Sequence, residues 1–392
     1  GSGFRGQNRA GMSATTPETR GKKPALAPEQ GMSKGLRCYV YFTATITGAA
    51  IMVVEILGAK MLSPFMGTSH FAWTAQIAVT LVALACGYYA GGRMADRSPH
   101  LARLYWAIII SAVYLAFTVL VIEPVAYWCL DFNLVAGSLL ASAILYFLPL
   151  SLLAMTGPFL VRMITASVLN VGGNVGRLTA LGTVGSFLGT MFVGYLVIPL
   201  LPNSVTMYLT SGSLAAIALI YFAVFRRKNA GGALLLCALG ALPVLLAPTG
   251  VRHHFNRVEE KFRGNSHFGL LQVIDGREGA IRYYLNDNLV QNTYDPETGQ
   301  SVSVFTYMLA GMAECYTTNI QDVLCIGMGV GIVPMHFARA GANVDVVEIN
   351  PEDLPVAQKW FGFDPSKARV IFDDGRHYLN RCRKQYDAVV LD

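Results

Sequence analysis

The spacing in this chain that could do chemistry lies in residues 322–392. An apolar strand at Asp322–Ile326 runs into Gly327-Met328-Gly329-Val330-Gly331, and a later apolar run ends in an acid at Glu348. Glycines placed there let the backbone close on a nucleoside cofactor, and an acid about 20 residues further on can take two ribose hydroxyls. The order predicts a strand–turn–helix–strand unit, with Gly327, Gly329 and Gly331 at the turn and Glu348 at the end of the second strand.

The elements that must position this unit are unusual company for it. The chain of 392 residues is 53% hydrophobic and only 14% charged, and its mean hydropathy is +0.44, too apolar for an ordinary soluble domain. Residues 1–35 are rich in Gly, Pro, Thr and Lys without an apolar period, and read as a disordered arm whose first residues are a tag remnant. Seven apolar segments follow, at about 38–59, 71–91, 103–122, 134–161, 178–200, 205–225 and 231–249, each near the roughly 20 residues a helix needs to cross a bilayer. Residues 36–250 are therefore expected to form a transmembrane helical domain in contact with lipid. In the fifth segment Gly185 and Gly189 form a GxxxG pair suited to close helix contact. From residue 251 charge returns, and the alternation in Gly269–Ile274 and Ala280–Leu285 predicts a small antiparallel β unit over 251–318, with turns at Asp275-Gly276 and Asn286-Asp287. Residues 319–392 form the Rossmann-like unit. Fold class is thus a multi-span helical membrane domain of about seven helices, a small β unit and an α/β nucleoside-binding domain.

The net charge of +6 comes without a basic stripe interleaved with aromatics, so nucleic acid is not an expected partner. Seven single cysteines with no CxxC pair argue for buried hydrophobes, and no metal is expected; the adjacent His253 and His254 read as interfacial. Glu55 lies inside the first apolar segment, where an unpaired carboxylate costs several kcal/mol, which makes it a functional candidate unless it neutralises Lys60. Gly87–Arg97 places Arg93, Asp96 and Arg97 just past a helix end, similar to the second-loop signature of major-facilitator transporters, where such charges latch neighbouring helices. Orientation is in conflict. Lys22, Lys23, Lys34, Arg37, Arg93, Arg97, Arg103 and Arg226-Arg227-Lys228 favour a cytosolic N-terminus, and seven spans then put the C-terminal domain outside. A cofactor made in the cytosol argues the reverse. The last segment is the shortest and holds Pro243, so it is expected to give way, leaving a cytosolic C-terminal domain on an inner-membrane protein.

From about residue 266 onward the sequence resembles the spermidine synthase (polyamine aminopropyltransferase) family, and the whole chain is similar to its membrane-fused members. The resemblance rests on Leu285–Gln291, Phe305-Thr306-Tyr307, Val323–Gly331, Val347–Asn350, Asp373–Leu379 and Tyr386–Asp392, and in the helical part on Glu55–Ser69 and Trp73. It implies that the glycine loop cradles the donor, that Glu348 binds its ribose, that Asp374 with Gly375 receives its adenine, and that Gln291 and Tyr307 line the substrate side. Asp392 falls on the family's catalytic aspartate. The implied donor is decarboxylated S-adenosylmethionine, or S-adenosylmethionine itself, the acceptor is a small polyamine or other amine, and a homodimer is implied. Structural alternatives stand beside two of these roles: Asp374 could cap a helix and Asp392 could close a strand.

The departures bear on substrate. Val330 stands where the family has the aspartate that grips the aminopropyl amine, Met308 replaces a glutamine, Phe268-Gly269 replaces Tyr-Gln, and Asn350 replaces a second acid. A cationic amine without such acids loses charge-assisted hydrogen bonds of about 1.5–3 kcal/mol each. The chain also ends at a strand, so the α/β domain is expected to be truncated, with a further acid beyond Asp392. Three functional readings remain: an aminopropyltransferase, an S-adenosylmethionine-dependent methyltransferase, and a transporter-like or scaffolding membrane protein whose soluble domain binds a nucleoside without turnover.

Overall fold

The structure is a computed structural model that describes residues 32–67, 70–165, 171–227, 230–246, 258–276 and 280–392. The N-terminal arm to residue 31 and the pair His253-His254 lie outside these residues.

Among the described residues, six helical stretches are long and apolar enough to cross a membrane. They are α1 (Lys34–Met66), α2 (His70–Arg97), α3 (Leu101–Leu130), a broken fourth, a broken fifth and α9 (Asn203–Phe225). The fourth comprises α4 (Leu134–Ser142), a π-helical turn Ala143–Phe147, α5 (Leu148–Ala154) and α6 (Thr156–Ile164). The fifth comprises α7 (Val171–Phe192), a π-helical turn Val193–Val197 and α8 (Ile198–Leu200). Each π turn sits one turn before a proline, Pro149 or Pro199, which has no N–H to offer the carbonyl four residues back. At the first of these, Thr118 of α3 donates to the freed carbonyl of Leu145 at 3.4 Å. Pro64 of α1 frees the carbonyl of Lys60 in the same way, and Ser63 donates to it at 2.9 Å. The seventh apolar segment is α10 (Ala230–Leu246), whose 17 residues rise roughly 26 Å against a hydrocarbon core of about 30 Å.

Glycine sets the tightest helix contact. Gly185 of α7 lies against the backbone of Thr45, Gly189 against Ala49, and Gly48 of α1 against Gly182, so the expected GxxxG face packs on α1. Ser186 seals this contact by donating to the carbonyl of Gly48 at 3.0 Å. Gly87 and Gly91 give α2 the same close approach to Ser151 and Met155. At the end of α2, Asp96 and Arg162 pair at 3.4 Å, joining α2 to α6. The bundle core holds large side chains such as Tyr105, Tyr146 and Phe222, all fully buried.

Beyond the bundle, β1 (Glu259–Ser266), β2 (Gly269–Asp275), β3 (Arg282–Asn286), β4 (Leu289–Asp295) and β5 (Gln300–Ser301) form an antiparallel meander in chain order. The β3–β4 turn is Asp287-Asn288, one residue later than the sequence suggests, with φ of 46° and 66°. Both residues are left-handed, as a two-residue type I′ turn requires, and Asn and Asp tolerate that region best after glycine. α11 (Val304–Tyr316) follows and buries Ala310 with the core of the next layer. That layer is a parallel sheet of β6 (Asp322–Ile326), β7 (Asn343–Glu348), β8 (Arg369–Phe372) and β9 (Ala388–Leu391) in the order β8-β7-β6-β9. Its helices are α12 (Ile332–Arg339), α13 (Asp353–Phe361) and α14 (Gly375–Arg381). Leu271, Val273 and Tyr284 of the meander share an apolar cluster with Val330, Val356 and Phe361, welding the two layers together. Arg282 reinforces the seam, forking onto Asp275 at 2.7 and 2.9 Å and donating to the carbonyl of Trp360 at 2.8 Å.

Candidate functional site

The strand order places one crevice in view. β7 and β8 lie on one side of β6 and β9 on the other, so the sheet switches direction between β6 and β9, and ligands bind outside the carboxyl ends of strands at such a point. Gly327 follows β6 there and Asp392 follows β9, with Asp392 N donating to Ile326 O at 2.9 Å.

The loop from Gly327 to Gly331 needs its glycines. Gly327, Gly329 and Gly331 have φ of 86°, 51° and 83°, a region costly for other residues. A Cβ on Gly331 would run into the ring of Phe363. On Gly329 it would stand 2.8 Å from both Asn292 Oδ1 and Asp392 Oδ2, so the loop is the floor on which these two side chains converge. On Gly375 it would meet Ile326 Cγ2 at 2.5 Å.

Glu348 is buried at the end of β7 and fastens the loop. Its Oε2 accepts from Met328 N at 2.7 Å and its Oε1 from Asn350 N at 2.8 Å. Each carboxylate oxygen has two lone pairs, so this bracing leaves capacity for ribose hydroxyls. Asp392 is exposed as a residue, but its carboxylate is turned against the loop; burial raises its pKa above the ordinary carboxylate range, with the negative charge of Glu348 adding to the effect. Asp374 is exposed and serves as the N-cap of α14, accepting from His377 N at 3.0 Å. Asp373 beside it holds His377 Nδ1 at 2.9 Å, and that contact lowers its pKa.

Beneath the loop lies a polar knot. Tyr284 donates to Asp353 Oδ1 at 2.6 Å, and Asn350 Nδ2 donates to the same oxygen at 2.7 Å. Burial pushes Asp353 up to about 7. Asn350 is suited to its place because an amide can donate to Asp353, whereas a carboxylate would add a third negative charge beside Asp353 and Glu348.

The other residues singled out from sequence fall elsewhere. Gln291 is exposed: it is the unpaired residue of a bulge in β4, since Leu285 pairs with Val290 while Tyr284 pairs with Asn292. The inward residue is Asn292, at 2% exposure, which the sequence reading passes over. Tyr307 is exposed, and its hydroxyl donates to Ser301 O at 2.8 Å. Met308 is exposed, whereas Val330 is buried in the apolar cluster between the layers. Lys60 does not neutralise Glu55. It pairs instead with Asp287 in the β3–β4 turn, at 3.4 Å, while Glu55 has no hydrogen bond or ion pair among the described residues.

Comparison with known proteins adds a class. No family model matches the chain. The polyamine aminopropyltransferase of Vibrio vulnificus is 34% identical over 90 residues, which is 21% of this chain and 29% of that protein. Polyamine aminopropyltransferase 2 of Hyperthermus butylicus is 32% identical over 80 residues, 18% of this chain and 26% of that protein. The eEF1A lysine and N-terminal methyltransferase of Mus musculus is 30% identical over 120 residues, 25% of this chain and 17% of that protein. The crystal structure of spermidine synthase from Thermotoga maritima is 20% identical, covers 35% of this chain and 47% of that one, and has a TM-score of 0.30. This chain therefore spans less than a third of the length of these three curated relatives. All three are named as transferases, two moving aminopropyl groups and one methyl groups.

Proposed function

We propose that this chain is a membrane-anchored, spermidine synthase-like transferase that takes an adenosyl sulfonium donor and an amine acceptor. The observation that carries the reading is the convergence of Asp392 and Asn292 on Gly329, with Glu348 bracing the same loop at the switch point of the sheet. In this reading Glu348 holds the ribose, Asp374 and Gly375 flank the adenine, and the donor is decarboxylated S-adenosylmethionine. The acceptor amine is nucleophilic only when neutral. Asp392 takes its proton as the nitrogen attacks the methylene beside the sulfonium, and the thioether nucleoside leaves. A carboxylate whose pKa is raised is a better proton acceptor near neutral pH than an ordinary one. Glycine-loop glycines and the two carboxylates suit the polar, ribose-bearing half of such a donor.

The donor side is where the reading departs from the relatives' names. Val330 faces the interior of the apolar cluster, so no carboxylate at that position grips the ammonium of a donor's aminopropyl group. The donor's amine is then held by other groups or held more weakly than in the resembling family. The methyltransferase relatives support a second reading, in which the same crevice holds S-adenosylmethionine and passes its methyl group to an amine.

The test is Asp392→Asn in the full-length protein, assayed for transfer and for nucleoside affinity separately. Transfer should fall by about 10²-fold or more while affinity for methylthioadenosine, S-adenosylmethionine and its decarboxylated form changes little. Absence of binding of all three to the unsubstituted protein would refute the donor assignment. Binding with no transfer to any amine would leave a nucleoside-binding domain without turnover.

A further inference from the structure

The helix bundle has two ends, and they differ in charge. The first end gathers the start of α1, the α2–α3 connection and the segments following α6 and α9. It carries Lys34, Arg37, Arg93, Arg97 and Arg103, and further along the chain Arg162, Arg177, Arg226 and Arg227. The second end gathers the segments following α1, α3 and α8. There Lys60 is the only Lys or Arg near the helix ends, against Glu55, Glu123 and Asp131.

Three contacts place the C-terminal part of the chain at the second, acidic end. Lys60, on the last turns of α1, pairs with Asp287 in the β3–β4 turn. α8, at the same end, packs on β1. The short helix α10 runs parallel to α3 toward that end: a Cβ on Gly232 would stand 3.4 Å from Trp106, near the start of α3, and one on Gly240 would stand 2.9 Å from Val113, further along it. Near the far end of α10 the carbonyl of Pro243 accepts from Tyr208 at 3.2 Å, and Tyr208 lies close to the start of α9, which is at the second end. α10 therefore carries the chain along the bundle in spite of its length and its proline. By length it falls short of the six longer stretches, as the sequence suggested, while its packing still leads the chain toward the second end.

Lys and Arg in short connections remain on the cytosolic side of a membrane, whereas long domains cross it largely regardless of their charge. Arg252, Arg257, Lys261 and Arg263 lie within about 20 residues of the end of α10 and count on the second side, but with Lys60 they make five against the nine Lys and Arg named at the first end. We infer that the basic end of the bundle faces the cytosol and that the nucleoside crevice opens on the opposite, extracytosolic face of the membrane. The inference rests on charge and packing and not on the transferase reading. Joined to that reading, it requires donor and acceptor on the extracytosolic face, so a step that exports an adenosyl sulfonium must come before the transfer.

Sealed membrane vesicles of both orientations, holding the full-length protein, test this without reading activity. Trypsin added outside should release peptides of residues 259–392 from right-side-out vesicles and leave them intact in inside-out ones. Release from inside-out vesicles, alone or together with the other orientation, overturns the inference. Asp131→Cys and His100→Cys, at exposed positions on the two ends, give an independent reading with a membrane-impermeant maleimide, normalised to labelling in detergent. With labelling read at the peptide that carries the introduced cysteine, apart from native cysteines such as Cys315 and Cys382, Asp131→Cys should label in right-side-out vesicles and His100→Cys only in inside-out ones. The reverse pattern overturns the inference even if the trypsin result agrees with it.

Discussion

Val330→Asp is the substitution that would return to the glycine loop the acid found in the resembling family, and the structure gives it a cost. Val330 is 2% exposed, in a cluster with Leu271, Val273, Tyr284, Val356 and Phe361. Removing the apolar side chain forfeits about 1.5 kcal/mol of burial, and an unpartnered carboxyl in its place adds about 1–3 kcal/mol even when protonated. Among the buried members of the cluster only Tyr284 has a hydroxyl, and it already donates to Asp353 at 2.6 Å. The sum is about 2.5–4.5 kcal/mol. Burial would raise the introduced carboxyl above its unfolded pKa, so the penalty should be smallest in acid and grow as pH rises through the folded value. Hydrogen exchange of peptides from β2 and α13, followed along a urea titration of the full-length protein at pH 5 and pH 8, reads this domain apart from the bundle. A variant within about 1 kcal/mol of the parent at both pH values would show that the side chain turns into the crevice, and the account of Val330 as a core residue would fail.

Other expectations follow from the same packing. Gly331→Ala should abolish nucleoside binding in calorimetry, because φ is 83° and the new methyl meets Phe363; Gly331→Ala with Phe363→Ala should recover part of the fold but not the binding, and full binding by the single variant would contradict the cradle geometry. Asp353→Asn should flatten stability between about pH 4 and 7. The folded pKa is raised to about 7, so the native carboxyl contributes most below its unfolded value and loses that contribution as pH rises; an unchanged pH profile of unfolding would count against the buried knot. Gly185→Leu should reduce bundle stability in detergent by several kcal/mol, since the side chain has no room against Thr45, and an unchanged melting temperature would refute the α1–α7 contact.

What could be read from the sequence was what local spacing encodes. The glycine loop, the acid at the end of the next strand and the GxxxG pair each depend on residues near one another in the chain, and each is found in the expected element. Asn292 was hidden because a bulge at Gln291 reverses the inside–outside alternation counted from the turn. The partner of Lys60 was hidden because it lies 227 residues away, while Glu55 is only five residues away and looked nearer. The course of α10 could not be read from composition, which gives only its length and Pro243; its packing on α3 and α9 is what fixes it. α11 reads as part of the β unit by position, yet its apolar face at Ala310 belongs to the parallel sheet's core.

The turn at Asp287 has two jobs at once. One carboxylate oxygen accepts from Leu270 N at 2.9 Å, locking β2, and the other pairs with Lys60 on α1. From that turn to Asn292 is five residues, a reach of no more than about 17 Å along a strand. The crevice is thereby hung from the end of the helix bundle through one short turn. A shift of α1 at Lys60 would reach Asn292, beside the glycine loop, through that turn and the first residues of β4.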